Sequence, residues 1–342
     1  MKKNRISIAM VAPPFGDTGG PEVVTQNLTD ALLDMGIDVT LFAPADWNTR
    51  AKHVATLEKS IWNMNIQELA PKEFRKIKIL SQEKVLEFQD DFDIIHLHSQ
   101  RYAAGVCGQT ETPCVISFHN RFPADVYNGM VEAGLHTVAL SKSQLGDLKA
   151  SAVIHNGVPT KNIKYSFEKG SYLMFVGRLN DQKGIDTAIQ IAIKAEKKLL
   201  IFGRIGNTEE RKIFFAENIE PFLSENIIYK GEVGHDEIYQ YLRGASALLL
   251  PIRRPEVCPM VVAEALACGT PIIGTMIGPL PELLGNEKIA FLSDDFSELV
   301  QAVKNTEIFD RQECRKYAED NFDSTVMAKR YLELYYEILD KN

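Results

Sequence analysis

Short apolar runs alternate with amphipathic helical patterns along almost the whole chain of 342 residues. The predicted strands of the first half are 6–12, 39–43, 94–97, 114–118, 137–140 and 152–154, and those of the second half are 172–176, 199–202, 227–229, 247–250, 271–274 and 290–292. Apolar strands separated by helices are typical of α/β proteins, in which helices cover both faces of a mainly parallel sheet. A chain of this length favours two domains of roughly 150 residues.

The break between the two predicted domains lies near 157–170. Asn156-Gly157-Val158-Pro159 ends a strand pattern there, and a polar stretch without periodicity follows. We therefore predict an amino-terminal domain at 1–157 and a carboxy-terminal domain at 171–322. The segment 324–340 predicts a helix that could pack on either domain, and we assign it to the first. Residues 46–92 indicate one or two helices rather than a regular strand–helix repeat.

Composition and charge argue against several classes of protein. The chain has 46 acidic and 38 basic residues, a net charge of −8, which argues against a broad nucleic-acid-binding surface. No segment approaches the roughly 20 apolar residues that span a bilayer, and the apolar run after the basic segment 1–5 is too short for a signal peptide. The five cysteines are odd in number and lack metal-ligand spacing, so we expect a reduced, cytoplasmic enzyme without a metal site.

Two glutamates, Glu256 and Glu264, are separated by seven residues. Glu256 lies in a predicted loop, and Glu264 lies about one turn into a predicted helix that begins after Pro259. The free N–H groups of Met260 and Val261 at the start of that helix can bind a diphosphate. Because the neighbours of Glu264 are almost all apolar, its carboxylate should have a specific partner such as a ribose diol, while Glu256 would hold a hexose. The alternative is that each is an ordinary solvated glutamate.

This segment resembles the E-x₇-E signature of retaining glycosyltransferases of family four, which have the GT-B fold. Further segments resemble motifs of that family: Phe175-Val176-Gly177-Arg178-Leu179 with Lys183-Gly184, Gly231-Glu232-Val233, Gly278 with Glu282, and Gly19-Gly20-Pro21-Glu22. The resemblance covers nearly the whole chain and is most specific between residues 172 and 284.

The resemblance implies two facing Rossmann-like domains and a hexosyltransferase activity. It assigns the acceptor side to residues 1–157 and the nucleotide-sugar donor to residues 171–322. A hexose-type sugar would pass from a nucleotide diphosphate sugar to an acceptor. The configuration at the anomeric carbon would be retained, and neither a metal ion nor another cofactor would be needed. Arg178 and Lys183 would neutralise the departing diphosphate, because two cations must then replace the metal. His119, at the end of a predicted strand, matches a family histidine near the transferred sugar. The resemblance thus assigns catalysis to His119, Glu256, Arg178 and Lys183.

The donor-binding set extends beyond these catalytic residues. We predict that the donor contacts Gly19, Gly20, Gly177, Arg178, Lys183, Gly231, Val233, Glu256, Cys258, Pro259, Met260, Val261 and Glu264. The chain departs from the family where Val257-Cys258-Pro259 replaces Gly-Phe-Gly, and Pro259 removes one N–H that a phosphate could use. Pro251-Ile252 replaces the usual Pro-Ser, and the following loop, with Arg253 and Arg254, is unusually basic.

Other functions remain open at this stage. His96 and His98 have a spacing that a metal site could use, although polar contacts at a strand end are the simpler interpretation. A nucleotide-sugar epimerase on the same scaffold would need an acid–base pair and no acceptor. A dehydrogenase would need G-x-G-x-x-G, which is missing after 6–12 and 172–176. Loss of Glu256 or Lys183 would have suggested a binding protein without catalytic activity, but both residues are present.

The predicted partners are a nucleotide-sugar donor and an acceptor of unknown kind, which could be a saccharide, a lipid-linked molecule or a small molecule. Basic residues in the first half could contact an anionic membrane surface or an acceptor phosphate. They are Lys72, Arg75, Lys76 and Lys78, and the acids Glu68, Glu73 and Glu83 lie among them. This mixture of charges favours a solvated helix face, with at most peripheral membrane contact. The donor base and sugar are not specified.

Overall fold

The computed structural model describes residues 6–64, 70–121 and 123–341. The basic segment 1–5 and Glu68 lie outside the described residues. The chain separates into two compact units: unit 1 contains the described residues up to Pro159 and those from Ser324 onwards, and unit 2 is Thr160–Asp323. Residues 160–170, where the sequence analysis placed a break, belong to unit 2.

Unit 1 is built on a parallel sheet with the strand order β3-β2-β1-β4-β5-β6-β7. Its elements are β1 (Ser7–Val11), α1 (Gly20–Asp34), β2 (Asp38–Ala43), β3 (Lys52–Ala55), α2 (Pro71–Glu83), β4 (Ile94–Leu97), α3 (Gln100–Cys107), β5 (Cys114–Ser117), α4 (Ala124–Glu132), β6 (His136–Ala139), α5 (Lys142–Leu145) and β7 (Ala152–Val153). The strand order reverses between β1 and β4. In open α/β sheets, ligands bind beyond the carboxyl ends of the strands at such a reversal.

Unit 2 repeats this architecture with the strand order β10-β9-β8-β11-β12-β13, again parallel. Its elements are β8 (Tyr172–Val176), α6 (Ile185–Ala195), β9 (Leu199–Phe202), α7 (Glu209–Asn218), β10 (Ile227–Gly231), α8 (His235–Gly244), β11 (Ala245–Leu250), α9 (Met260–Ala267), β12 (Ile272–Gly274), α10 (Leu280–Leu283), β13 (Ala290–Leu292), α11 (Phe296–Lys304) and α12 (Arg311–Phe322). Its reversal lies between β8 and β11.

The apolar strand residues form the core of each unit. Ile95 and Ile116 are completely buried in unit 1, as are Ile201 and Leu249 in unit 2. Burial of one such side chain contributes about 1.5–3 kcal/mol, so these runs define the strands. All twelve predicted strands are present. The sequence analysis missed β3 within the segment 46–92, because its side chains are largely exposed and carry no apolar pattern.

The last helix, α13 (Ser324–Leu339), belongs to unit 1, where it packs against α1. Its two large aromatic residues Tyr331 and Tyr335 are buried. The chain thus completes unit 1 only at its carboxyl end. No helix among the described residues has the length and apolar composition required to cross a membrane.

Candidate functional site

The turn after β8 in unit 2 holds Lys183 against the turn after β11. Lys183 ends a short 3₁₀ helix, Asp181–Lys183, and its N–H donates to Asn180 Oδ1 at 3.1 Å. Gly184 follows in the left-handed conformation with φ +69°, and a Cβ atom there would lie 1.9 Å from the carbonyl oxygen of Pro251. Only glycine permits both this backbone conformation and this close approach.

Lys183 and Glu256 form an ion pair at the carboxyl ends of β8 and β11. The Lys183 Nζ lies 2.5 Å from Glu256 Oε1, and the two side chains are only 16% and 24% exposed. The sequence analysis assigned them to different parts of the donor, the diphosphate and the sugar. The structure brings the two side chains into direct contact, so their charges act together.

Arg253 connects the same two turns, and the sequence analysis had not assigned it a role. Its guanidinium donates to Asp181 Oδ1 and Asp186 Oδ2, each at 2.5 Å, and its backbone N–H donates to the carbonyl of Gln182 at 2.9 Å. The guanidinium also donates to Thr187 Oγ1 at 2.8 Å. Two features of the sequence could have indicated this role: the basic loop Arg253-Arg254, and the two acids Asp181 and Asp186 after β8. Arg253 therefore holds the loop that carries Glu256.

Arg178 has a different environment from Lys183. It is exposed, and in the described part of the chain its guanidinium forms neither a hydrogen bond nor an ion pair. Gly177, immediately before it, packs beneath the Lys183 side chain, because a Cβ atom at Gly177 would lie 3.7 Å from Lys183 Cδ. The structure thus places Arg178 next to the pair without involving it in the pair.

Glu264 projects from α9 and is 4% exposed. Its Oε1 lies 3.2 Å from His235 Nδ1, at the start of α8. This contact with the Glu264 carboxylate raises the pKa of His235. Tyr239, one turn further along α8, has its pKa raised by burial and by the same carboxylate. The apolar neighbours of Glu264 had indicated a specific partner, but sequence reasoning missed His235.

The first turn of α9 lacks a capping side chain. Pro259 is the N-cap residue, so Met260 and Val261 present the first N–H groups of this helix, and Cys258 lies half-buried just before it. Such uncapped N–H groups attract anions. Gly278 has φ +65°, and a Cβ atom there would lie 3.2 Å from the Glu256 backbone nitrogen. This glycine lets the turn after β12 pack closely against the Glu256 loop.

Gly231 and Val233 lie on the path from β10 to α8. Gly231 has φ +81°, and its carbonyl accepts a hydrogen bond from the Gly203 N–H at 2.9 Å. Val233 stands two residues before His235, so this turn leads directly to the contact with Glu264. Both residues lie at the carboxyl end of β10, and their roles in binding stay predictions.

In unit 1, Gly19 and Gly20 form the start of α1. Gly19 is its N-cap residue and Gly20 its first residue. A Cβ atom on Gly19 would lie 2.1 Å from Glu22 Oε2, so the glycine leaves room for a carboxyl group that folds back under the helix start. Burial raises the pKa of Glu22 to about 7.

His119 is paired with His98 at the carboxyl ends of β4 and β5. His98 Nδ1 lies 2.9 Å from His119 Nε2, and His98 Nε2 lies 3.1 Å from the sulfur of Met10. A thioether only accepts hydrogen bonds, so His98 Nε2 carries the proton. His98 Nδ1 then accepts from His119 Nε2, which leaves His119 Nδ1 with a free lone pair. Burial lowers the pKa of His119 to about 4, so its ring is neutral at pH 7.

The final helix supports this pair through His96, whose ring packs on that of His98 with 4.2 Å between the ring centres. Tyr335 Oη lies 2.6 Å from His96 Nδ1, and Ser117 Oγ lies 2.8 Å from His96 Nε2. Tyr331 Oη is 2.7 Å from the same Ser117 Oγ. His96 and His98 thus make polar contacts at their strand ends. Among the described residues, no group of three or more His, Cys, Asp or Glu side chains could hold a metal ion.

Two protein-family models match the chain in succession. The model described as Glycosyltransferase Family 4 matches residues 18–162, and that described as Glycosyl transferases group 1 matches residues 159–321. Together they cover both units from α1 to α12. The chain belongs to glycosyltransferase family 4. The E-x₇-E segment, the Lys183 turn and the Glu264 helix all lie within the group 1 match.

This glycosyltransferase spans about half the length of two curated relatives that it matches. An uncharacterized glycosyltransferase of Methanocaldococcus jannaschii is 30% identical, over 53% of this chain and 50% of that protein. The N-acetyl-alpha-D-glucosaminyl L-malate synthase of Bacillus anthracis is 24% identical, over 51% and 48% respectively.

The solved structure of HepE from Anabaena in complex with UDP and glucose has the same fold. The TM-score is 0.74 at 16% identity, with 97% of this chain and all of that chain covered. The expected GT-B fold, with two parallel sheets flanked by helices, is therefore confirmed for this glycosyltransferase.

Proposed function

We propose that this glycosyltransferase moves a hexose from a nucleotide diphosphate sugar to an acceptor hydroxyl, without a metal ion and with retention at the anomeric carbon. The observation that carries the proposal is the ion pair of Lys183 and Glu256 beside the uncapped start of α9. A cation and a row of N–H groups suit a diphosphate, and a carboxylate at hydrogen-bond distance from that cation suits the sugar attached to it.

The ion pair suggests how donor binding rearranges charge. A diphosphate that reaches the start of α9 attracts Lys183 Nζ away from Glu256. Glu256 is then free to accept hydrogen bonds from the sugar hydroxyls, while Lys183 and the exposed Arg178 face the phosphate oxygens. As the sugar–phosphate bond breaks, negative charge grows on the leaving group, and these fixed cations stabilise it. The cations would thereby take the place of a divalent metal.

Two further observations support parts of the proposal. The HepE structure of the same fold contains UDP and glucose, which supports a nucleotide diphosphate as the leaving group here. The neutral His119, with a lone pair on Nδ1, suits a sugar hydroxyl as hydrogen-bond partner better than it suits a phosphate. We also propose a cytoplasmic location, supported by the five cysteines, which are all free thiols.

Calorimetric titration with UDP, GDP and ADP, followed by turnover of the matching nucleotide-sugars in excess EDTA, tests the proposal. We expect one diphosphate to bind, and slow release of the sugar with its anomeric configuration retained, as read by NMR. A ligand at one hundred times its Kd should add about 2.7 kcal/mol of apparent stability. Activity that disappears with EDTA and returns with Mn²⁺ would contradict the metal-free mechanism. Release with inverted configuration would contradict retention.

A further inference from the structure

Unit 1 contains a cavity of about 540 Å³ at the carboxyl ends of β1, β4 and β5. Its wall includes His98, which binds His119, so a molecule in the cavity lies next to the histidine pair. Sites for small molecules commonly have volumes of about 300–1,000 Å³. The described residues of its wall belong to unit 1, whereas the Lys183 turn belongs to unit 2.

The charge of the cavity is positive. Lys78, Arg101 and Arg121 line it, and in the described part of the chain none of the three forms an ion pair. Lys78 lies over the Phe74 ring at 4.1 Å, and Arg121 donates to the Ser143 carbonyl at 3.0 Å. The starts of α1 and α3 also face the cavity, and neither has a capping side chain. Helix starts add partial positive charge to that of the three cations.

The acid among the described wall residues is Glu22. It is 4% exposed, and burial raises its pKa to about 7, so this carboxyl group is partly protonated at neutral pH. Glu22 therefore offsets little of the cationic field. The sequence analysis interpreted the basic residues of α2 as a solvated helix face. Lys72, Arg75 and Lys76 are indeed exposed, but Lys78 contributes to the cavity wall.

Aromatic side chains also line the cavity. Trp62 is 53% exposed although it is a large apolar residue, and its ring is tilted against Phe15 at 5.8 Å between centres. Tyr102 lies on the wall as well. An exposed indole in the same cavity as three cations suits a molecule with a carbon-rich face and an anionic group. This combination defines a chemical class of ligand.

We propose that the acceptor held in this cavity is a small hydroxylated molecule whose phosphate or carboxylate group is bound by Lys78, Arg101 and Arg121. The inference rests on the proposed transferase function, which it extends by naming the acceptor class. The hydroxyl groups of such a molecule would lie on the side of His98 and His119, and its carbon skeleton would pack on Trp62.

Glucose, glucose 6-phosphate and glucuronate are suitable probes, since they share one ring and differ in the anionic group. We expect the full protein to bind one or both anions at least about 10-fold more tightly than glucose, because one charge-assisted hydrogen bond contributes about this factor to affinity. The preference should weaken with added salt. Equal affinity for the three probes, or no binding of either anion up to about 10 mM, would overturn the proposal.

Two variants connect this preference to the cavity. Lys78→Gln and Arg101→Gln should each remove most of it, while Lys76→Gln, on the exposed face of α2, should leave it unchanged. Retention of the preference in both cavity variants would place the anion elsewhere and overturn the assignment.

Binding of the protein to vesicles that contain phosphatidylglycerol is measured as a second experiment. Binding to these vesicles without binding of the soluble anions would assign the cavity to a lipid headgroup and exclude a small acceptor.

Diphosphate binding in unit 2 is measured on the same samples. It should be the same in the cavity variants and in the unaltered protein. If no diphosphate binds while the anion preference is present, the transferase proposal fails and the anion site stands. If diphosphate binds normally and the anion preference is absent, the acceptor class fails alone.

Discussion

At the scale of single residues, the contact between Lys183 and Glu256 is the feature that most directly permits a test of function. We expect Lys183→Ala to lower turnover by a factor on the order of 10² or more, because it removes a donor to the developing phosphate charge. The fold should be retained, since the side chain lies in a turn rather than in the core. Turnover and thermal unfolding are measured together, with Lys194→Ala, an exposed lysine of α6, as the control. Near-full activity of the Lys183 variant would contradict the phosphate assignment.

The two glutamates should separate nucleotide binding from transfer. Glu264 is buried and contacts His235, so Glu264→Gln should weaken the free diphosphate and the nucleotide-sugar alike. Glu256→Gln should leave diphosphate affinity nearly unchanged and lower transfer, because a sugar contact that strengthens as charge develops acts mainly in the transition state. Titration calorimetry measures the diphosphate affinity of each variant, and an activity assay measures its transfer rate. An equal loss of diphosphate affinity in both variants would show that the glutamates share one role.

At the scale of elements, Arg253 joins the turns after β8 and β11 and so positions Glu256. We expect Arg253→Gln to reduce transfer by about 10-fold, while diphosphate affinity changes little, because the loop that carries Glu256 loses its contacts with Asp181 and Asp186. The effect on stability should be about 1 kcal/mol or less, as is usual for partly exposed ion pairs.

The neighbouring residue provides a matched control for this prediction. Arg254 is exposed and has the same charge in the same loop. Arg254→Gln should leave kcat and the diphosphate affinity unchanged. Comparable losses in the two variants would mean that the loop needs positive charge in general, rather than the specific contacts of Arg253.

At the scale of the whole molecule, the stability of the two units should change in opposite directions as the pH falls. Burial lowers the pKa of His96 to about 3 and that of His119 to about 4, and it lowers the pKa of His98 well below its usual value. These groups bind protons in the unfolded chain below about pH 6.5 but not in folded unit 1, so its stability falls as the pH drops from about 6.5 to 4. His235 in unit 2 has a raised pKa, and its contribution is present at mildly acidic pH and is lost as the pH rises.

Hydrogen exchange at pH 7 and pH 5, corrected for intrinsic rates, measures this difference. On going from pH 7 to pH 5, the protection of backbone amides against exchange should fall in β4 and β5 relative to β11 and α9. Glu22 opposes the trend, because with a pKa of about 7 it takes up a proton in the folded state between pH 7 and about 4.5. Glu22→Gln removes this compensation and should make the loss in unit 1 steeper. Equal changes in both units would contradict the prediction.

Local patterns in the sequence account for much of the fold. The twelve predicted strands and the helices α9 and α13 follow from short-range features such as apolar periodicity, whereas Gly184 and Gly278 were identified through the family resemblance. These features are local because each strand or turn depends on burial and backbone geometry over a few residues. The strand β3 escaped this reasoning because an exposed edge strand leaves no apolar pattern.

The amino-acid sequence by itself determined the α/β class, the strands, the family resemblance and the residue types at the candidate site. The tertiary structure decided which of these residues meet. Lys183 and Glu256 are 73 residues apart, and they touch because β8 and β11 are neighbours in the sheet. The same holds for Arg253 with Asp186, for Glu264 with His235, and for Tyr335 of the last helix with His96. Such contacts depend on strand order and helix packing, since parallel sheets place distant turns side by side at one edge.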